Sequence, residues 1–170
     1  MARSLAEGSE TISYSLGPSP SGQDGLQIGG PVLGANGWVY VYIDFLGRDD
    51  PQGQLAAFNR DGELKWLYAA STDSTSFDGH ATHVVGRNEV VYLAIGSAVH
   101  AVDAITGYEI WRQPMLARFV EPGVTLSPNG DLLARTQSNV LMLIATLSSG
   151  GAADSPWPAP GGDRRNINTR

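Results

Sequence analysis

The segment 98–111 carries the pattern that most restricts the fold of this chain. Its sequence is AVHAVDAITGYEIW, in which apolar residues alternate with small or polar ones as far as Asp103. The pair Thr106-Gly107 then marks a turn, and a second short run ends at Trp111. Alternation on both sides of a glycine-containing turn predicts a β-hairpin.

A related pattern lies upstream in residues 54–66, which read QLAAFNRDGELKW. Asn59 aligns with Asp103, Asp61 with Thr106, and Trp66 with Trp111, with a turn that is one residue shorter. Two hairpins of one kind in a short chain predict an internal repeat.

The predicted repeat extends upstream of each hairpin. Residues 32–40 (VLGANGWVY) align with residues 84–92 (VVGRNEVVY), and a weaker third copy is 125–133 (TLSPNGDLL). Each copy reads as a strand, an Asn-containing turn and a second strand, followed in the first two copies by the hairpin. Four short antiparallel strands repeated about every 40 residues are typical of a β-propeller blade. A β-sandwich with coincidental turns is the alternative.

Residues 101–111, AVDAITGYEIW, resemble the Ala-x-Asp-x-x-Thr-Gly-x-x-x-Trp motif of the PQQ-like β-propeller repeats. That family includes quinoprotein alcohol dehydrogenases and many non-enzymatic relatives. The match is weaker in the first copy, and it fails after Ile144 in the third. The resemblance covers roughly residues 25 to 147. It implies an all-β fold of four-stranded blades, about three with a partial one, which form an incomplete propeller.

On this basis the sequence divides into five parts. We expect a strand of a preceding blade plus a connector at 1–29, a first full blade with inserted loops at 30–80, a second blade at 81–120, a third, degenerate blade at 121–147, and a Gly/Pro-rich tail at 148–170.

Composition excludes some classes of function. A net charge of −6 argues against nucleic-acid binding, because no basic stripe is available to neutralise phosphates. Cysteine is absent, which rules out disulfides and thiolate metal sites. No apolar run is long enough to predict a membrane span. The resemblance implies a periplasmic or extracellular setting, although the first residues lack the apolar core of a signal peptide.

Seven residues define the repeat and are expected to serve its structure. We expect the tryptophans to pack between blades because they recur at one repeat position. Gly107 is expected to adopt a positive φ in its turn. The seven residues are Asn36, Trp66, Asn88, Asp103, Thr106, Gly107 and Trp111.

The residue types that could carry chemistry are few. His80 and His83 have a spacing seen in metal sites, but they lie where a loop enters a predicted strand, so no metal site is expected. His100 is expected to be a packed core histidine. Asp44, Asp49 and Asp50 lack the spacing of a calcium loop. No nucleophile elbow or phosphate-binding loop occurs in the sequence.

These observations favour a non-catalytic scaffold that binds a protein or a small ligand at a propeller rim, without a cofactor. Insertions at 45–53 and 71–80 are the candidate binding loops. The first, extended to begin at Asp44, is favoured because it combines Arg48 with Asp49 and Asp50. Self-association is expected if the blades do not close a ring. The alternatives are a fragment of a quinoprotein dehydrogenase, which would bring PQQ and calcium, or the sensor region of a signalling protein.

Overall fold

The computed structural model describes residues 2–6, 9–13, 26–45, 53–70, 82–115, 119–136 and 140–146. Within these ranges the protein is all-β, with fourteen strands and no helix. All the strand pairs are antiparallel. The all-β class predicted from the sequence is confirmed.

The strands form an N-terminal hairpin and three larger sheets, which we name in chain order. The hairpin consists of β1 (Ala2–Ala6) and β2 (Ser9–Ser13). The first sheet consists of β3 (Leu26–Ile28), β4 (Val32–Leu33), β5 (Val39–Phe45), β6 (Gln54–Phe58) and β7 (Leu64–Ala69). The second consists of β8 (Thr82–Val85), β9 (Val90–Ile95), β10 (Ala98–Asp103) and β11 (Glu109–Pro114). The third consists of β12 (Phe119–Leu126), β13 (Leu132–Thr136) and β14 (Leu141–Ile144).

Apart from β3 and β4, which both pair with β5, strands adjacent in sequence are adjacent in each sheet, as expected for strands joined by short connections. The predicted hairpin is confirmed: β10 pairs with β11, and Ala101 lies opposite Trp111. In the first sheet Ala57 lies opposite Trp66 in the same way. Each of these strand pairs has a register irregularity one residue further along, between Ala57 and Phe58 or between Ala101 and Val102.

The N-terminal part of the chain differs from the sequence expectation. Residues 26–28 pair with the second half of β5, although we assigned them to a connector. The reason is length: β4 pairs only with the first residues of the seven-residue β5, which leaves the rest of β5 available to a second partner. Within the part expected to hold one strand of a preceding blade, β1 and β2 pair with each other.

The second sheet lies between the other two. One apolar cluster joins the first and second sheets, and a second cluster joins the second and third. Every residue of β9 is buried, because a strand covered on both faces has no side that can be polar. Strands β4, β8 and β12, each of which precedes the Asn-containing turn of its sheet, lie beside one another, with β4 next to β8 and β8 next to β12.

The turn that follows β4, β8 and β12 has one geometry in all three sheets. Gly37, Gly130 and the non-glycine residue Glu89 occupy the same turn position, and all three have a positive φ. Their amides donate to the carbonyl three residues earlier, at 3.0 to 3.2 Å. Glu89 accepts a conformation that is costly for a side chain, which indicates that the surrounding hydrogen bonds hold the turn in place.

Candidate functional site

The turn between β10 and β11 is held by the side chain of Asp103. Its Oδ1 accepts hydrogen bonds from the amides of Ile105 and Thr106 and from the Thr106 hydroxyl, at 2.7 to 3.0 Å. The hydrogen bond donated by the backbone amide of Thr106 is the main cause of the lowered pKa of Asp103. Gly107 has a φ of 75°, as predicted. Aspartate, threonine and glycine therefore specify this turn through local hydrogen bonds.

Asn36 and Asn88 occupy matching places in the first two sheets. The amide of Asn36 donates to the hydroxyl of Tyr40 at 3.0 Å, and that of Asn88 donates to the hydroxyl of Tyr92 at 3.1 Å. Each tyrosine ring then lies 5.8 to 5.9 Å from a tryptophan ring, Trp66 in the first sheet and Trp111 in the second. The turns are in this way linked to the outermost strands of their sheets.

Trp66 lies against the turn of the following sheet. Its indole N–H donates to the carbonyl oxygen of Ala104 at 3.2 Å, and the Tyr40 hydroxyl donates to the same oxygen at 3.1 Å. Burial raises the pKa of Tyr40 to about 12, so this hydroxyl remains a donor throughout the physiological range. A Cβ atom at Gly107 would lie 2.7 Å from the Trp66 ring. The glycine thus serves both the turn and the contact between sheets.

Trp111 packs in the corresponding place in the second sheet. It is half-buried against the cluster that joins the second and third sheets, which includes Val124, Leu132 and Ala134. One buried polar contact supports this junction: the amide of Val124 donates to the Thr82 hydroxyl at 3.1 Å.

Three polar side chains that the sequence analysis did not connect meet between the first two sheets. We call Tyr68, His100 and Glu109 the polar triad. The Tyr68 hydroxyl donates to the carboxylate of Glu109, and it lies 2.9 Å from Nδ1 of His100. The same Nδ1 lies 3.1 Å from Glu109 Oε2. Because the tyrosine has a single proton to donate, we assign a proton to Nδ1, which donates in turn to its oxygen neighbours.

The electrostatics of the polar triad follow from partial burial. His100 is fully buried, whereas the side chain of Glu109 is 37% exposed. Burial and the neighbouring carboxylate raise the pKa of Tyr68. Partial burial opposes ionisation of Glu109, but the hydrogen bonds from Tyr68 and His100 outweigh it and lower the pKa of that carboxyl. The triad is therefore a neutral phenol, an imidazole and a carboxylate that join two sheets.

His83 is the other buried imidazole. Its Nε2 lies 3.1 Å from the backbone carbonyl oxygen of Tyr40 in the first sheet. Complete burial lowers the pKa of His83 to about 4, although this hydrogen bond favours the charged form. His83 is thus neutral at physiological pH and contributes to the contact between sheets. His80, which is spaced from His83 as in some metal sites, lies outside the described residues.

The favoured binding loop also falls outside the described residues at Arg48, Asp49 and Asp50. Asp44 lies within β5, near the end of that strand. In the part of the chain that is described, no group of three or more His, Asp or Glu side chains is placed to hold a metal ion. The same residues include no helix that could cross a membrane.

An exposed apolar surface surrounds the turn of the second sheet, and the sequence analysis did not identify it. Tyr108 is 77% exposed, and Ile105 in the same turn and Ile110 in the adjoining strand are also exposed. We call these three residues the apolar turn. The backbone of this turn is fixed by Asp103 and Gly107, so its side chains project from a rigid support. Exposed aromatic and aliphatic side chains on such a support are suited to contact another protein.

Comparisons of the sequence with models of known protein families and with curated proteins found no match.

Proposed function

We propose that the three sheets are successive blades of an incomplete β-propeller, and that this chain is a non-catalytic scaffold that binds a partner protein at one rim. The observation that carries the proposal is the junction between sheets. Tyr40 and Trp66 of one sheet contact the turn of the next, and β4, β8 and β12 of the three sheets lie beside one another. Radial stacking around a common centre would produce this arrangement.

The resemblance to PQQ-like repeats agrees with these contacts. Its motif residues Asp103, Thr106 and Gly107 hold a turn, and Trp111 packs between sheets. These four residues make structural contacts, so we assign them to the scaffold. The polar triad is used in joining two sheets, so we assign it to the scaffold as well.

Two surfaces are proposed for the partner. The first is the loop at 45–53, which is proposed because its sequence mixes charges of both signs and because it is an insertion. The second is the apolar turn, which is proposed because Tyr108, Ile105 and Ile110 are exposed. A tyrosine on a rigid turn loses little side-chain entropy on binding, and it offers both a large apolar face and a hydroxyl.

The experiment is a pull-down from a bacterial envelope extract with four forms of the chain. These are the unaltered chain, a deletion of residues 47–52, Tyr108→Ser, and Val140→Ser as the control. Val140 is an exposed apolar residue that precedes β14 in the third sheet and belongs to neither surface. We expect a protein that is captured by the unaltered chain and by the control but lost with one of the other two forms.

The enzymatic alternative is tested in parallel by titration with pyrroloquinoline quinone and calcium. Tight quinone binding with dye-linked alcohol oxidation would overturn the scaffold proposal. A captured partner that all four forms retain equally would remove both proposed surfaces.

A further inference from the structure

The third sheet has one covered face and one open face. Leu132, Ala134 and Met142 point toward the second sheet, within the shared apolar cluster. Side chains alternate across a strand, so Leu133, Leu141 and Leu143 point the other way. We call these three leucines the open face of the third sheet. Leu141 is 67% exposed and Leu143 is 63% exposed.

The matching positions in the other two sheets are buried. Leu143 lies opposite Leu133, as Ala101 lies opposite Tyr92 and Ala57 lies opposite Tyr40. Both alanines and both tyrosines are almost fully buried, because the next sheet covers them. The open face is therefore the same kind of surface as the two that are covered.

The face that packs against these positions is formed by apolar residues that recur at matching places in the repeat. The second sheet packs on the first through Val91 and Leu93 of β9. In the sequence alignment, Val39 and Val41 of β5 correspond to these two residues. They point away from the second sheet, because they alternate with the buried tyrosines of β5. Val39 and Val41 are half-buried, and Leu67 of β7, on the same side, is exposed.

One chain thus carries both halves of the contact that joins its own sheets, one at each end of the stack. We propose that the open face of the third sheet binds the first sheet of a second copy of this chain, through Leu133, Leu141 and Leu143 on one side and Val39, Val41 and Leu67 on the other. Such a contact uses two different surfaces, so it forms either a ring or a filament. Two copies supply six sheets, which is within the range of about four to eight at which propellers close.

The first test measures the mass of the whole chain in solution by analytical ultracentrifugation. Concentrations up to about 100 μM are used, because weak self-association becomes measurable in this range. We expect a finite particle of twice the monomer mass. Leu143→Lys places a charge in the contact and is expected to weaken association at least tenfold. Gln113→Lys is the matched control, since it adds the same charge at an exposed position of the second sheet, whose two faces are already covered.

The second test determines which surfaces meet. The chain has no cysteine, so Leu143→Cys and Val41→Cys each introduce a unique thiol. A short bismaleimide is expected to join the two variants only when they are mixed. Circular dichroism of each variant establishes that it is folded.

Three results would overturn the proposal. They are a monomer at every concentration, equal association of Leu143→Lys and the control, or cross-linking of Leu143→Cys to itself, which would mean a symmetric contact between two third sheets. This inference does not depend on the partner at the rim, because the apolar turn is not part of the contact. The pull-down and the ultracentrifugation can therefore fail separately.

Discussion

Replacement of Gly107 by alanine tests the contact between the first two sheets most directly. Two separate costs are expected. The first is the backbone cost of a positive φ for a residue with a Cβ, about 1 kcal/mol. The second is steric, because the new Cβ would lie 2.7 Å from two ring atoms of Trp66 and 3.0 Å from its Cβ. Forcing an extra methyl into such a site costs about 1–3 kcal/mol.

The control is Gly62→Ala, at the matching turn position of the first sheet. Gly62 has a φ of 72°, so this variant carries the same backbone cost of about 1 kcal/mol. We therefore expect Gly107→Ala to lower the free energy of unfolding by about 2–4 kcal/mol and Gly62→Ala by about 1 kcal/mol. Urea denaturation followed by far-ultraviolet circular dichroism measures both values.

A second comparison isolates the steric part. In a Trp66→Ala background the ring atoms at 2.7 Å are gone and only the Cβ of residue 66, at 3.0 Å, remains, so the additional cost of Gly107→Ala should fall toward the backbone cost. Such a difference between backgrounds is the coupling free energy of the two sites. Two results would refute the contact between this turn and Trp66. One is an equal loss of unfolding free energy in Gly107→Ala and Gly62→Ala, and the other is a cost of Gly107→Ala that is the same with and without Trp66→Ala.

Three further predictions concern the tryptophans and the titrating groups. Trp111→Ala should cost about 3 kcal/mol, the lower end of the range for a large aromatic residue because Trp111 is half-buried, while urea denaturation of Trp157→Ala, outside the described residues, should show a much smaller loss. The free energy of unfolding should rise by up to about 3 kcal/mol between about pH 4 and pH 6.5, because in this interval His83 binds a proton in the unfolded state but not in its buried site. His83→Gln should make the urea midpoint less dependent on pH across the same interval, and an unchanged dependence would contradict the prediction. Tyr68→Phe should raise the pKa of Glu109 in a carboxyl NMR titration, because one of the hydrogen bonds that lower it is lost, and an unmoved pKa would mean that Tyr68 does not donate to this carboxylate.

Some of these features could be predicted from the sequence because their causes are local. Asp103, Thr106 and Gly107 lie within five residues of one another, and their hydrogen bonds connect near neighbours. The alternation on either side sets the hairpin and its register. Patterns of this kind are complete within a short window, so a single sequence is enough to interpret them.

The polar triad could not be predicted in this way. Tyr68 and His100 are in different sheets, and neither belongs to a local motif. The partner of His83 is a main-chain carbonyl, which leaves no signal in the sequence. The same holds for Leu26–Ile28, whose pairing with β5 depends on how far β4 extends. The pull-down remains the test of the favoured loop at 45–53.

The two hydrogen bonds accepted by the carbonyl of Ala104 bear on how such a chain can grow. Both donors, Tyr40 and Trp66, belong to one sheet, whereas the acceptor is main chain that any small residue could supply. Both donor side chains thus lie on one side of the joint, and the other side has to supply only a main-chain carbonyl and the glycine at position 107 that leaves room for the Trp66 ring. If a gene segment encoding a sheet and its turn is duplicated, the new unit brings a suitable acceptor without matched substitutions in its neighbour. An array built on this joint can lengthen by copying, and its units can then diverge at every position that the tyrosine and the tryptophan do not touch.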